Sequence, residues 1–260
     1  MLVVFAALKA EISPLKAILS RCERVSGERV VYIGQLAGRR VMIVSSGVGK
    51  ERALAAADFV HSGYGPKAVL STGFCAGLVP ELEPSDLVLS SWLLRASEED
   101  LRTSKKLFLG AEASQLQTIL KARGIRARTG GFVCVSQPVI SPDEKIGLAK
   151  RTQAVVAEME TFHLGDFFMA RKVPFMGLRA VLDSVGDYLP LLRRTVETWK
   201  VPGVAKALRD VLCQRGELSR LWRIFKNGRS AQIALGRSVT AMIGVWPGEE
   251  RNGRGRVPTR

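Results

Sequence analysis

The chain has 260 residues, enough for one large domain or two small ones with a sizeable core. Apolar residues at 47% and charged ones at 24% exclude a wholly disordered or collagen-like chain, and no uncharged run approaches the roughly 18 residues of a membrane-spanning helix. The net charge of +15 is unevenly spread: residues 191–260 carry +10 and the first 190 carry +5.

That asymmetry reads as a near-neutral body (1–190), a basic helical extension (191–246) and a disordered tail (247–260). It points to an anionic partner surface, membrane or nucleic acid, or else to a solubilising tail. The N-terminus lacks a basic leader and a cleavage site, so a secreted or integral membrane protein is not expected. Cys22, Cys75, Cys134 and Cys213 show no CxxC spacing, and His61 and His163 are the two histidines. These are too few soft ligands for a zinc site, so a reduced, cytosolic protein without metal or cofactor is the simplest expectation.

Along the chain, Leu2–Ala7 is a continuous apolar run, suited to a strand buried on both faces. Ser13-Pro14 reads as the cap and first residue of a helix reaching Cys22. Val30–Ile33 and Arg40–Ser45 form a hairpin around Gln35–Gly38. Lys50–His61 is an Ala-rich helix stopped by Gly63, Gly65 and Pro66. Ala68–Ser71 is a strand running into Thr72-Gly73-Phe74-Cys75-Ala76-Gly77. Leu87–Leu94 is a strand, Ala111–Ala122 a helix, and Phe132–Val135 and Ala154–Val156 short strands flanking a helix that opens near Ser141-Pro142. Met159–Ala170 is helical and Pro174–Val181 a last buried strand. This alternation predicts a mixed, largely parallel α/β sheet. Beyond Pro190 the pattern is helical over Thr195–Leu212, Glu217–Lys226 and Ser230–Ile243.

Ligands of open α/β sheets bind at the carboxyl ends of strands, and three segments place glycine or a carboxylate there. Glu11 follows the first strand; it is either a base aimed at water or a first-turn Glu favoured by the helix dipole. Ser45–Lys50 and Ser71–Gly77 are small-residue segments, open to a ligand or simply tight turns. Gly47-Val48-Gly49-Lys50 lacks the spacing and the Ser/Thr of a phosphate-binding Walker loop. Glu158, Glu160 and Asp183 close the set. They are either paired acids, one ionised and one protonated, or helix caps and a turn.

Taken together, AALKAEISPLK, YIGQLAGRRVMIVSSGVGKERA, STGFCAGLVPELEPSDLV, CVSQPVI, GLAKR, VVAEMET and VPFMGLRAVLDSVGD resemble the nucleoside phosphorylase superfamily, and within it the methylthioadenosine/S-adenosylhomocysteine nucleosidases. The seven stretches keep the family's order over roughly residues 1–187. The resemblance implies a three-layer α/β/α domain with a mixed central sheet that hydrolyses the N-glycosidic bond of a 5′-substituted adenine nucleoside. It implies that Asp183 protonates purine N7 and that Glu11 deprotonates the attacking water. Glu160 would hold the ribose hydroxyls, Met159 would pack on the sugar, and the backbone at Val139 would read the adenine edge. Arg179 would belong to the strand that positions Asp183 and, with Glu158 and Phe74, would complete the nucleoside pocket. A homodimer is also implied, the partner closing the 5′ side.

Glu11 stands where phosphorolytic relatives place an Arg-containing loop, which favours water over phosphate. Leu182, Phe74 and Leu8 depart from the usual Ser, small residue and Met, and each makes the pocket more apolar or tighter. Together with Asp183–Pro190 and the basic C-terminus, they are similar to the hopanoid-biosynthesis nucleosidases, which act on a lipid-linked adenosyl substrate. That branch implies a cytoplasmic enzyme in peripheral contact with the inner face of an anionic membrane. The other readings are a phosphorylase of the same fold and an inactive scaffold that binds membrane or nucleic acid. Three carboxylates in one cleft argue against the scaffold, and nucleic acid is not expected with 17 aromatic residues and no recognition helix.

Overall fold

Ten strands and six helices make up the computed structural model, which describes residues 1–25, 27, 29–96, 105–189 and 217–246, with the backbone alone over 217–225. In chain order these are β1 (Leu2–Ala6), α1 (Lys9–Ala17), β2 (Ser20–Val25), β3 (Val31–Leu36), β4 (Arg39–Ser45), α2 (Lys50–Tyr64), β5 (Ala68–Gly77), β6 (Leu87–Arg95) and β7 (Lys106–Phe108). They continue with α3 (Gly110–Ala122), β8 (Ala127–Cys134), α4 (Pro142–Thr152), β9 (Val156–Glu158), α5 (Thr161–Met169), β10 (Phe175–Asp183) and α6 (Glu217–Ile243).

Fully buried strands organise the sheet. All five residues of β1 are buried, as are nearly all of β5 and β10; buried on both faces, they lie where other elements cover both sides of the sheet. β1 runs parallel to β4 and β5, and β5 runs parallel to β10. The β2–β3–β4 meander forms one antiparallel wing. At the other end β10 pairs with β6, β6 with β8, β8 with β9, and β9 returns to β5. Because β5 also pairs with β10, these five strands close a ring. Two groups of helices cover the sheet: α2 packs on α5, and α6 packs on α1, α3 and β10. The mixed α/β sheet with covering helices is the architecture expected from the sequence.

Several local expectations differ. The first helix begins at Lys9, and Pro14 lies inside it. Glu11, rather than Ser13, serves its amino end, accepting hydrogen bonds from the amides of Ala7 and Leu8 at 2.9 and 2.8 Å. The residues expected to continue that helix to Cys22 instead form the exposed strand β2, whose alternation is broken by Arg21 (φ 50°) and a register shift. Thr72–Gly77 is no turn but the second half of β5, held on both edges by β10 and β9. β9 sits two residues later than expected, and β7 was not anticipated.

The two C-terminal helices are one, α6, unbroken at Asn227-Gly228. Asn227 Nδ2 donates to Leu182 O at 3.1 Å, and a Cβ on Gly228 would lie 3.8 Å from the Leu182 side chain, so the helix is anchored to β10 there. Ala231, Leu235, Val239, Met242, Ile243 and Trp246 are buried in the main core. Arg39 Nη1 donates to the carbonyls of Ile243 and Trp246, both at 3.0 Å, and ties the helix end to β4. The helix expected over Thr195–Leu212, Cys213 and the 247–260 tail lie outside the described residues. Among the described residues no helix is long and apolar enough to cross a membrane, and no metal-binding cluster occurs.

Candidate active site

Strand register brings remote acids to one rim of the ring. Asp183 ends β10 opposite Ala76 of β5, and Ala76 is in turn opposite Ala157 of β9. Glu158 therefore falls on the same rim as Asp183, and the chain turns there into α5, with Glu160 as its N-cap residue. Glu11 reaches the rim from the first turn of α1. Its Oε1 accepts a hydrogen bond from Phe74 N at 2.8 Å while Oε2 holds Ala7 and Leu8. The first-turn position and the cleft-facing position proposed for Glu11 are both realised.

Gly73 makes this approach possible. A Cβ there would lie 2.5 Å from Glu11 Oε1 and 2.8 Å from its Cδ, and the backbone φ of +151° is unfavourable for an L side chain.

A cavity of about 620 Å³ opens over the rim. Glu11, Glu158, Glu160, Asp183, Met159, Val139 and Phe74 all line it, so the structure brings together seven of the eight residues singled out in the sequence. Leu8, Val48, Val135, Pro138 and Leu182 add apolar wall, and Gly228, Arg229 and Gln232 of α6 flank it. A smaller cavity of about 420 Å³ shares Val48, Val135 and Met159 and is bordered by Lys50, Arg52, Arg95 and His163.

The eighth residue, Arg179, lies beneath the rim. It is 2% exposed, and its Nη2 donates to Glu158 Oε2 at 2.9 Å, Thr161 Oγ1 at 2.7 Å and Ser71 Oγ at 3.1 Å. Glu158 Oε2 also accepts from the amides of Glu160 and Thr161 at 2.9 and 2.7 Å, so Glu158 caps α5 as well as pairing with Arg179. Glu160 turns the other way and accepts from Gly49 N at 2.9 Å. Two residues along the chain thus separate a carboxylate paired with Arg179 from one held by a single backbone amide.

Burial sets the electrostatics. Desolvation, reinforced by the neighbouring Glu158, pushes the Glu160 carboxyl up to about 8. Desolvation also raises Glu11 above the usual carboxylate range, against the pull of its three backbone donors and of Arg179. Asp183 is pushed up to about 6 by burial, the opposing influence being Lys145.

Lys145 escaped the sequence reading. It is fully buried on α4, with Nζ 2.5 Å from Asp183 Oδ2. The available signal was its place on the inward stripe of that helix with Leu148 and Thr152, a position that periodicity assigns to apolar residues.

A sheet partly closed into a ring, with buried carboxylates at the ends of β9 and β10, defines an α/β enzyme fold whose ligand cavity is acidic at its floor and apolar along its wall. Residues 2–212 match the phosphorylase superfamily, and the chain belongs to that family.

The chain is 26% identical over 208 residues to the 5′-methylthioadenosine/S-adenosylhomocysteine nucleosidase of Tolumonas auensis, covering 72% of this chain and 87% of that one. Its identity to the same enzyme of Actinobacillus succinogenes is 25% over 203 residues, covering 71% and 85%. Among solved structures, the Neisseria meningitidis nucleosidase in complex with methylthio-immucillin-A superposes with a TM-score of 0.72 at 19% identity, covering 94% of this chain and 98% of that one. A futalosine hydrolase mutant of Helicobacter pylori gives 0.71 at 17%, covering 93% and 97%.

Proposed function

We propose that the chain is an N-glycosyl hydrolase that releases adenine from a nucleoside carrying an apolar 5′-substituent. The observation that carries this reading is the convergence of Glu11, Glu160 and Asp183 in one cavity whose remaining wall is largely apolar. Asp183 donates a proton to purine N7 as the C1′–N9 bond breaks with its electron pair going to the base. Water bonds to C1′ and loses a proton to Glu11. Glu160 accepts hydrogen bonds from the ribose hydroxyls, which favour its ionised form in the complex, and that charge favours the cationic sugar of the transition state. Met159 packs on the sugar, and the backbone at Val139 meets the adenine edge. Adenine and the free sugar leave, and solvent restores the protons. The nucleosidase names of the relatives support the same chemistry.

Phosphorolysis is less well supported: Arg229, exposed on α6, is the single cation among the described residues lining the larger cavity, where Glu11 is a carboxylate that would repel phosphate. The test is free adenine released from methylthioadenosine, S-adenosylhomocysteine and an adenosine bearing a long 5′-alkyl chain, with and without phosphate. Release that requires phosphate would replace hydrolysis with phosphorolysis. No release from any of the three would remove the proposal.

The apolar substitutions at Leu8, Phe74 and Leu182 support a long alkyl 5′-group, as on a lipid-linked nucleoside. Peripheral membrane contact belongs to this reading: exposed Lys226, Arg229 and Arg237 share one stripe of α6 with Ile233, which is 58% exposed. Vesicles containing phosphatidylglycerol should float the protein, and the Lys226→Glu, Arg237→Glu double variant should float less; equal flotation would count against the contact. A second copy closing the 5′ side is also proposed. Phe108 on β7, 71% exposed, offers apolar surface for it, and sedimentation equilibrium would read a mass of twice 28.4 kDa.

Gly73→Ala tests the placement of Glu11. It should lower adenine release by on the order of 10-fold or more while circular dichroism stays unchanged, because the carboxylate must move aside. Undiminished turnover would show that this placement is not needed.

A further inference from the structure

α4 carries a lysine with no exposed surface, and its ammonium group has two carbonyl acceptors and one carboxylate partner. Nζ donates to Ser184 O at 2.6 Å and to Asp187 O at 3.0 Å, and lies 2.5 Å from Asp183 Oδ2. The two carbonyls belong to the turn that follows β10. That turn is clamped by Asp187 Oδ2, which accepts from Ser184 N at 2.9 Å and Ser184 Oγ at 3.0 Å. Leu189 N donates to Ile140 O at 2.9 Å and ties the end of the segment to the approach to α4. A buried ammonium is costly unless paired and hydrogen-bonded. Here it is both, and its counter-ion is the residue read as the proton donor.

We propose that Lys145 is a positioning residue for that donor: it holds Oδ2 of Asp183, presents the other oxygen to the cavity, and stabilises the carboxylate that forms as the proton leaves. This rests on the reading of Asp183 as general acid. The physical need is specific. A donor that is 3% exposed would be left as an unsolvated anion at the moment of transfer. A fixed cation in van der Waals contact offsets that developing charge and requires no reorganisation. Because the charge is greater in the transition state than in the ground state, the effect falls on kcat rather than KM.

The other groups facing Asp183 cannot take this part. Asp187, from the following turn, is an acid and opposes ionisation. Cys75, opposite Val181 on β5, is a thiol that burial keeps protonated. Asn227 of α6 is neutral and is engaged with Leu182 O. Arg179, earlier on β10, is committed to Glu158, Thr161 and Ser71. Arg229 of α6 is exposed to solvent at the cavity edge. Glu11, Glu158 and Glu160 are acids.

The test compares Lys145→Gln, which removes the charge but keeps donors for the two carbonyls, with Lys145→Arg, which keeps the charge. Adenine release from methylthioadenosine is followed from pH 5 to 9, and the Asp183 carboxyl is titrated by carbon-13 NMR in each protein. Lys145→Gln should lower kcat by on the order of 10²-fold with KM little changed. Its alkaline limb and its Asp183 titration should both move to higher pH, so that its activity relative to wild type rises as pH rises. Lys145→Arg should restore the limb toward wild type.

A loss in Lys145→Gln that is uniform in pH, with the Asp183 titration unmoved, would overturn the proposal and leave Lys145 a packing residue. The carboxyl titration needs no turnover, so it decides even if methylthioadenosine is a poor substrate. If Asp183→Asn keeps full activity, the reading of the acid itself has failed. If that variant is inactive while Lys145→Gln matches wild type, only the role of Lys145 has failed.

Discussion

Asp183→Asn should lower adenine release by on the order of 10³-fold, about 4 kcal/mol in barrier height, while circular dichroism remains that of the folded protein. The amide has the shape of the acid and fits the same place at the end of β10, opposite Ala76. It has no acidic proton to give to N7, so the base must depart as an anion. Lys145 would then face a neutral group. Its two carbonyl acceptors, Ser184 O and Asp187 O, remain. A buried cation stripped of its counter-ion is destabilising, so thermal unfolding should begin at lower temperature even though the fold persists. The rate is read by free adenine and the stability by calorimetry on the same preparation. Rapid turnover by this variant would reassign the acid.

The wild-type pH dependence follows from the same residue. A donor pushed up to about 6 is protonated below that pH and ionised above it. kcat/KM should therefore fall on the alkaline side as Asp183 ionises, while Glu11, raised above the usual carboxylate range, and Glu160, pushed up to about 8, must both lose their protons and set the acid limb.

Glu160→Gln should separate activity from stability. Loss of the charge beside the sugar should reduce kcat/KM by on the order of 10²-fold. Stability should move the opposite way at high pH. The folded protein holds the Glu160 proton up to about 8, well above the 4.5 of an unfolded Glu. Its contribution to stability is fully present below about 4.5, declines above that, and is lost as pH rises through 8. Glutamine imitates the protonated form at every pH and can still accept from Gly49 N. Calorimetry should show equal midpoints near pH 4.5 and a higher midpoint for the variant at pH 9, by about 2–4 °C for each kcal/mol relieved. A lower midpoint at pH 9 would mean that the charged Glu160 is held more favourably than its burial indicates.

Much of the fold was legible because its central strands contain continuous apolar runs: Leu2–Ala6 in β1, Val41–Val44 in β4, Ala68–Leu70 in β5 and Phe175–Leu178 in β10. Ser141-Pro142 and Glu144 likewise spell a helix start, and Ser141 Oγ accepts from Glu144 N at 3.2 Å as they suggest. The first helix was misread because the same grammar misleads there. Ser13-Pro14 looks like a cap, but the buried Glu11 reaches back to the amides first, and that preference depends on Phe74, 63 residues away. β2 was hidden because an exposed strand of alternating charge carries no apolar pattern.

The acids of the site could be placed at strand ends from the chain alone, whereas their division of labour could not. Glu158 and Glu160 are two residues apart, and only the arrival of Arg179 on one of them and Gly49 on the other tells them apart. Lys145 was invisible for a related reason. A lysine on an inward stripe looks like a helix drawn one turn out of phase until the acid across from it is known.

The ring formed by β5, β10, β6, β8 and β9 has a mechanical consequence. A sheet edge can fray one strand at a time, but a hoop cannot: prising any of these strands outward breaks hydrogen-bond ladders on two sides at once. Asp183 and Glu158 are mounted on that hoop, and Glu11 is fastened to it through Phe74. Their mutual spacing is thereby insulated from local opening elsewhere, and any adjustment to a bulky guest must come from the walls that lean over the rim rather than from the acids beneath it.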